Sequence, residues 1–156
     1  MELKNKNILL TGGSSGIGKK TAEMLVEKGA KVLITGRSYD KIDTIKQHLN
    51  VLGVSFDISD IENIAAKTDE CVKLLGGRVD VLINNAGIGD FGPVDKINMT
   101  SFLEVFNTNV FGLALLTKGI IPIMKKQSQG TIINIGSSAS IRGFKNGSVY
   151  AASKFA

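Results

Sequence analysis

Short apolar runs alternate with segments whose apolar residues recur every three or four positions, and this beat repeats along the whole chain. Residues 7–12 (NILLTG), 30–36 (AKVLITG), 51–57 (VLGVSFD), 79–87 (VDVLINNAG) and 130–138 (GTIINIGSS) are apolar almost throughout, which predicts strands covered on both faces. Between them lie helical patterns. Residues 16–28 set Ile17, Thr21, Met24, Leu25 and Lys28 at helical spacing, and 39–49 turn Ile42, Ile45 and Leu49 inward. Residues 60–76 read as a helix with Asp60 as N-cap and Gly76 at its stop. A long helix is predicted over about 99–126, interrupted near its end by Pro122, and a last one starts near Ser148. Strands separated by helices pair in parallel through right-handed crossovers. The pattern therefore predicts one α/β domain over residues 1–156, a doubly wound parallel sheet of five strands, with no repeat, low-complexity segment or linker.

Composition narrows the function classes. At 43% hydrophobic and 21% charged, the chain has an ordinary globular mix and no case for disorder. No apolar run reaches the roughly 18 residues needed to span a membrane, and MELKNKNILL lacks the features of a signal peptide. No membrane partner and a cytoplasmic location are the expectations. Cys71 is the only cysteine, so no internal disulfide forms, and its helical setting reads as packing. The net charge of +5 is scattered over pairs such as Lys4/Lys6, Lys19/Lys20 and Lys125/Lys126 without interleaved aromatics, which argues against a nucleic-acid surface.

The stretch LLTGGSSGIGKKT (9–21) carries the first chemistry. Gly13, four residues, Gly18 and Lys19 nearly spell a triphosphate loop, but that loop needs a hydroxyl next for Mg²⁺, and the chain has Lys20. No later strand ends in a convincing metal-binding carboxylate, so no metal is expected. The glycines suit a dinucleotide better. Gly12 permits a sharp turn, Gly16 lets backbone approach a pyrophosphate, and Gly18 lets the helix pack closely, with Ser14 and Ser15 between them and Ile17 opening the helix. The spacing is T-G-x-x-x-G-x-G, longer than the usual dinucleotide fingerprint, and a structural turn remains the alternative.

Several motifs then fall in register. TGGSSGIG (11–18), NNAG (84–87), Asn109, IGSS (135–138) and YAASK (150–154) stand in the order and rough spacing of the short-chain dehydrogenase/reductase family, which the chain resembles from residue 5 to 156. The resemblance implies a Rossmann-type domain binding a nicotinamide dinucleotide. Asp57 and Ile58 resemble the family's adenine-contacting position, while Asn84, Ala86 and Gly87 are expected along the adenosine ribose and pyrophosphate. A structural role for NNAG, its Asn side chains tying strand ends together by hydrogen bonds, is the equal alternative. An acidic residue ending the second strand would hold the ribose of NAD; here Gly36 stands in that place and Arg37 follows. A guanidinium suits a 2′-phosphate, so NADP is the expected cofactor, with NAD as the alternative.

Tyr150 and Lys154 are four apart and share a helix face, although spacing alone also suits a surface pair. A free phenol ionises near pH 10, and a nearby ammonium favours its anion. By resemblance Tyr150 is the general acid/base, and Lys154 supports it and holds the nicotinamide ribose. Ser137, thirteen residues before Tyr150 at the carboxyl end of the fifth strand, is the expected donor to the substrate oxygen, with Ser138 as competitor. Asn109 falls on the apolar stripe Phe102, Phe106, Leu113, Leu116, Ile120. By resemblance it anchors a water relay to Lys154; a core asparagine satisfied by backbone is the alternative. His48 is assigned no chemistry.

Family members continue beyond Lys154 with two further strands and helices, so the resemblance implies that the C-terminal strands are missing here. The fifth strand is then an uncovered apolar edge and the final helix little more than one turn. The expectation is that the 156-residue chain alone binds NADPH poorly and turns over little. The expected function is an NADP(H)-dependent oxidoreductase acting on a carbonyl or secondary alcohol, as a homodimer or homotetramer paired through the long helix, with Phe111 and Leu115 at the contact. A non-catalytic nucleotide-binding module of the same fold is the alternative, and a lyase or epimerase holding NAD is disfavoured by Gly36-Arg37.

Overall fold

The computed structural model describes residues 2–156. Strands β1 (Asn7–Leu10), β2 (Lys31–Gly36), β3 (Val51–Ser55), β4 (Val81–Asn84) and β5 (Thr131–Asn134) are all parallel and lie in the order β3-β2-β1-β4-β5. The first crossovers build the sheet outward from β1 to β3, and the chain then returns to the other side of β1. That reversal opens a crevice at the carboxyl ends of β1 and β4, where such sheets take ligands.

Alternation along each strand supplies two cores. Ile8 and Leu10 join Val32, Ile34, Val81 and Ile83 on one face, covered by α1 (Gly16–Glu27) and α2 (Tyr39–His48). Leu9, Leu33 and Leu82 face the other way, against α3 (Ile64–Leu74) and the helix holding Leu116, Ile120 and Met124. Each fully buried aliphatic side chain contributes about 1.5–3 kcal/mol, so both faces, not one, hold the sheet together. Along α1 the inward residues are Gly18, Ala22 and Leu25; Ile17 and Met24 stay exposed.

Several expectations need correction. Asp60 caps no helix: it accepts from the Asn63 side chain at 2.7 Å in a turn, and α3 begins only at Ile64. The stop is as expected, because Gly76 takes φ +75 and Gly76 and Gly77 return hydrogen bonds to Lys73 and Val72.

The long helix is broken in the middle, not at Pro122. It runs as α4 (Met99–Phe106), a widened π-type turn at Asn107–Gly112, and α5 (Leu113–Lys126). Pro122 and Lys118 are both exposed, so water can serve the carbonyl that proline leaves without a donor. The wide turn shifts the phase of the buried stripe, which passes through Val105, Asn109, Gly112, Leu116 and Ile120, while Phe102 and Phe106 stack at 4.7 Å half-buried. Residues Met99–Lys126 together are long and apolar enough to cross a membrane, contrary to the sequence expectation. The buried stripe of this helix against the sheet accounts for only part of that apolarity, since 28% of its most apolar stretch is buried.

The final helix, α6 (Ser148–Phe155), is eight residues long, longer than expected. β5 is an apolar edge strand as expected, with Ile132 38% and Ile133 40% exposed.

Candidate active site

A cleft of about 400 Å³ opens above the carboxyl ends of the central strands, and the β1–α1 loop forms its floor. Gly12 turns there at φ +66, and a Cβ on it would lie 2.9 Å from the Ala86 Cα. A Cβ on Gly18 would collide with the Gly12 carbonyl, so only glycine lets α1 come this close. Gly16 differs: its φ is +50, but the space a Cβ would take is open and faces the cleft. Ser15 makes no side-chain bond to the first turn of α1, leaving the N–H groups of that turn towards the cleft, an arrangement suited to an anion.

Thr11 fastens this loop to β4. Its Oγ1 accepts from the Asn85 and Ala86 N–H groups, both at 3.0 Å. The Asn85 amide then donates to the carbonyls of Thr11 at 2.9 Å and Gly12 at 3.2 Å.

Of the expected cofactor residues, Gly12, Ser14, Ser15, Gly16, Ile17, Gly18, Arg37, Asp57, Ile58, Ala86 and Gly87 all line this cleft. Asn84 does not. Its side chain donates instead to Thr117 at 3.0 Å and Asn134 at 2.8 Å, tying β4 to α5 and β5, and its Oδ1 is buried without a partner. Neighbouring residues of a strand face opposite ways, so the wall position falls to Asn85. Sequence reading also missed Lys41, which enters the cleft from the first turn of α2 beside Arg37 and Ser38. Arg37 is exposed and lies 3.8 Å from Glu104 of α4. Asp57 accepts from the Ser59 N–H at 2.9 Å and from its hydroxyl at 2.8 Å, which folds the turn after β3.

A second cavity of about 250 Å³ shares Ile17, Asn85, Gly87 and Ile88 with the cleft and ends at Tyr150 and Lys154. The Lys154 ammonium is 5.9 Å from the centre of the Tyr150 ring and donates to the Ile135 carbonyl at 3.3 Å. A Cβ on Gly87 would lie 3.3 Å from both the Lys154 Nζ and the Asn109 Oδ1, so the missing side chain at Gly87 leaves both groups facing one gap. Asn109 is buried and satisfied. Its Oδ1 accepts from the Ile88 N–H at 2.9 Å, and its amide donates to the Ile88 carbonyl at 2.8 Å and the Ser153 hydroxyl at 2.9 Å.

Ser137, like Asn109, lies just outside the lining of this chamber, whereas its neighbour Gly136 is part of it. The Ser137 hydroxyl caps a short turn at Ser138–Ser140, accepting from the Ala139 N–H at 3.1 Å, which leaves its own proton available to donate. The arrangement as a whole is a glycine-floored cleft joined to a chamber with a phenol and an ammonium at its end.

Known proteins share this fold. The family model for short chain dehydrogenases matches residues 6–156. An uncharacterized oxidoreductase of Thermotoga maritima is 38% identical, over 100% of this chain and 63% of the relative. Retinol dehydrogenase 8 of Homo sapiens is 35% identical, over 97% of this chain and 50% of the relative. The chain thus spans between half and two thirds of the length of these curated relatives. Among solved structures, a metagenomic short-chain oxidoreductase in complex with NADP superposes with a TM-score of 0.92 at 31% identity, covering 99% of this chain and 72% of that one. A short-chain dehydrogenase from Streptomyces avermitilis gives 0.92 at 32% identity, covering 99% and 57%. The doubly wound parallel sheet, the glycine loop and these matches together make the chain a member of the short-chain dehydrogenase family.

Proposed function

We propose that the protein is an NADP(H)-dependent oxidoreductase that interconverts a carbonyl compound and a secondary alcohol. The observation that carries this reading is the continuity of the cleft with the chamber of Tyr150 and Lys154. The residues present fit a dinucleotide. Open space at Gly16 and free N–H groups at the start of α1 suit a diphosphate. Arg37 and Lys41 supply two cations near the end of β2, where the ribose and its phosphate would lie. An NADP-dependent 3-hydroxy acid dehydrogenase of Schizosaccharomyces pombe, 34% identical, supports the same choice of cofactor.

When bound, the nicotinamide supplies the hydride that reduces the carbonyl carbon. The chain's own residues handle the oxygen. Tyr150 gives its phenolic proton to the oxygen in reduction and takes it back in oxidation. Lys154 holds a positive charge beside the phenol, stabilises the phenolate left behind and holds the ribose hydroxyls. Ser137 donates its free hydroxyl proton to the same oxygen as charge develops. Asn109 clamps the Ile88 backbone and Ser153 and so sets the gap at Gly87 through which a proton can return to Lys154. The protein works in the cytoplasm and pairs through the long helix, where Phe111 is 47% and Leu115 36% exposed.

Steady-state NADPH oxidation with a panel of carbonyl compounds tests the reading. Tyr150→Phe, which keeps the ring and removes the proton, should lower kcat by at least about a hundredfold. A variant as fast as the parent would overturn the assignment.

A further inference from the structure

Two large aromatic side chains, each at least about half exposed, lead out in a row from Tyr150, and the cofactor cleft uses neither. Phe91, in the loop after β4, is 61% exposed, and Phe144, in the loop before α6, is 49% exposed. The Phe91 ring lies 5.4 Å from the Tyr150 ring and 6.1 Å from that of Phe144, both pairs tilted, at separations where aromatic rings attract one another. Such exposure next to a reactive phenol is unfavourable in water unless something apolar covers it.

The backbone holds these rings in place. The Phe91 ring packs over Gly89, where an added Cβ would lie 2.6 Å from its Cζ, and the Phe144 ring packs over Gly147 in the same way. The Gly92 N–H donates to the Asn146 carbonyl at 2.8 Å and ties the two loops together, with Asn146 in the left-handed region at φ +62. Phe91 and Ile88 also line the chamber of Tyr150, in which Lys154 is the one charged side chain among the described lining residues. A charged substituent on the substrate would find no second cation in that chamber, whereas an apolar one would find rings.

We propose, resting on the oxidoreductase reading above, that Phe91 and Phe144 form an aromatic wall that binds the apolar arm of the substrate. The substrates are then carbonyl compounds or alcohols carrying an extended alkyl or aryl group, not small hydrophilic ones.

Reduction of straight-chain methyl ketones from four to eight carbons tests this, with NADPH and the protein as parent, F91A, F144A and F91L. In the parent, kcat/KM should rise roughly threefold per added methylene, as burial of each one predicts. F91A and F144A should flatten that dependence, losing about tenfold more on the eight-carbon ketone than on the four-carbon one, and F91L should recover much of it. Titration with NADP⁺ shows that each variant keeps a folded cleft, and calorimetry of the eight-carbon and four-carbon secondary alcohols with NADPH present, a pair that cannot react, gives a readout independent of turnover. Rates indifferent to chain length, or variants that slow every ketone equally, overturn the wall and leave the oxidoreductase reading intact. Absence of turnover with preferential binding of the longer alcohol, lost in F91A, supports the wall and overturns the oxidoreductase reading. Neither turnover nor preferential binding overturns both.

Discussion

Asn109 and Ser153 are joined by a buried hydrogen bond of 2.9 Å that links the wide turn of the long helix to the helix bearing Tyr150 and Lys154. The Ser153 hydroxyl in turn donates to the Tyr150 carbonyl at 2.8 Å. With the two bonds to Ile88, one amide side chain spans the loop after β4, the wide turn and α6. Wide turns of this kind recur at functional sites because the extra residue re-aims a side chain, and here the re-aimed side chain is Asn109.

Asn109→Ala removes all three bonds and leaves the half-buried Ile88 N–H and carbonyl without these partners. Leaving such groups unpaired costs about 2 kcal/mol, so Tm should fall by about 4–8 °C in thermal unfolding. The catalytic assignment adds a second readout. Measured well below Tm, kcat should also fall at least about tenfold. A lower Tm with unchanged kcat would make Asn109 a core residue and nothing more.

Gly16 and Gly18 separate binding from folding. At Gly18 an added methyl meets the Gly12 carbonyl and lies 2.5 Å from the Asn85 amide, neither free to move. Gly18→Ala should therefore disturb the loop itself and lower both Tm and NADPH affinity. Gly16→Ala meets nothing in the protein, and its left-handed backbone should cost only about 1 kcal/mol. That variant should keep its fold yet bind NADPH at least about tenfold more weakly, because the methyl enters the space meant for diphosphate. Equal NADPH affinity for Gly16→Ala and the parent would place the cofactor elsewhere.

The sheet was readable because five buried strands separated by helices admit few arrangements, and the glycine loop because its spacing has a mechanical reason. The misses have equally specific causes. Asn84 and Asn85 differ by one residue at a strand end, and that offset reverses which side a side chain faces. The stripe through Phe102 and Phe106 assumed an unbroken helical period, which the wide turn shifts to Val105. Gly112 was the available signal: a Cβ there would collide with the Ile58 carbonyl, and a glycine within an apolar helix asks for such a reason. Lys41 was legible too, since a cation three residues after the Ser38 N-cap sits in the first turn of α2, at the mouth of the cleft.

On the proposed reading Arg37 sets the cofactor preference, and Glu104 opposes it. Their 3.8 Å separation occupies the guanidinium with a carboxylate, but the pair is exposed and worth at most about 1 kcal/mol. Arg37→Ala should weaken NADPH binding about ten- to a hundredfold, the value of hydrogen bonds to a charged group, and change NADH binding little. Glu104→Gln should tighten NADPH up to about fivefold and leave NADH unchanged. Fluorescence titration of both cofactors checks both. Equal losses for NADH and NADPH in Arg37→Ala would remove the case for a 2′-phosphate contact.

Cys71 is buried on the inner face of α3, and burial pushes its thiol up to about 12, with Glu70 adding to the effect. Thiolate is the reactive form. A thiol-alkylating reagent at neutral pH should leave the native protein unlabelled and label it once in denaturant. Rapid labelling of the native protein would contradict the packing of Cys71.

Asp80 makes stability depend on acid. It lies at the start of β4, away from the cleft, where its carboxylate accepts from the Asn7 N–H at 2.9 Å and from Arg78 at 2.6 Å. Burial alone would raise its pKa; hydrogen bonds from Arg78 and the Asn7 backbone, with the charges of Arg78 and Lys6, outweigh that and hold it below the usual aspartate range. A depressed carboxyl contributes stability that is present above the unfolded value, about pH 4, and is lost as pH falls through the folded one. Asp80→Asn should therefore destabilise the protein at neutral pH by about 2 kcal/mol, since it removes the charge that Arg78 and the Asn7 N–H were set to meet. Urea unfolding at neutral pH and again near pH 3 checks this. The gap between parent and variant should narrow towards acid, because protonation removes the same charge from the parent. A gap equal at both pH values would mean that the carboxylate's charge contributes nothing there and only the shape of the side chain matters.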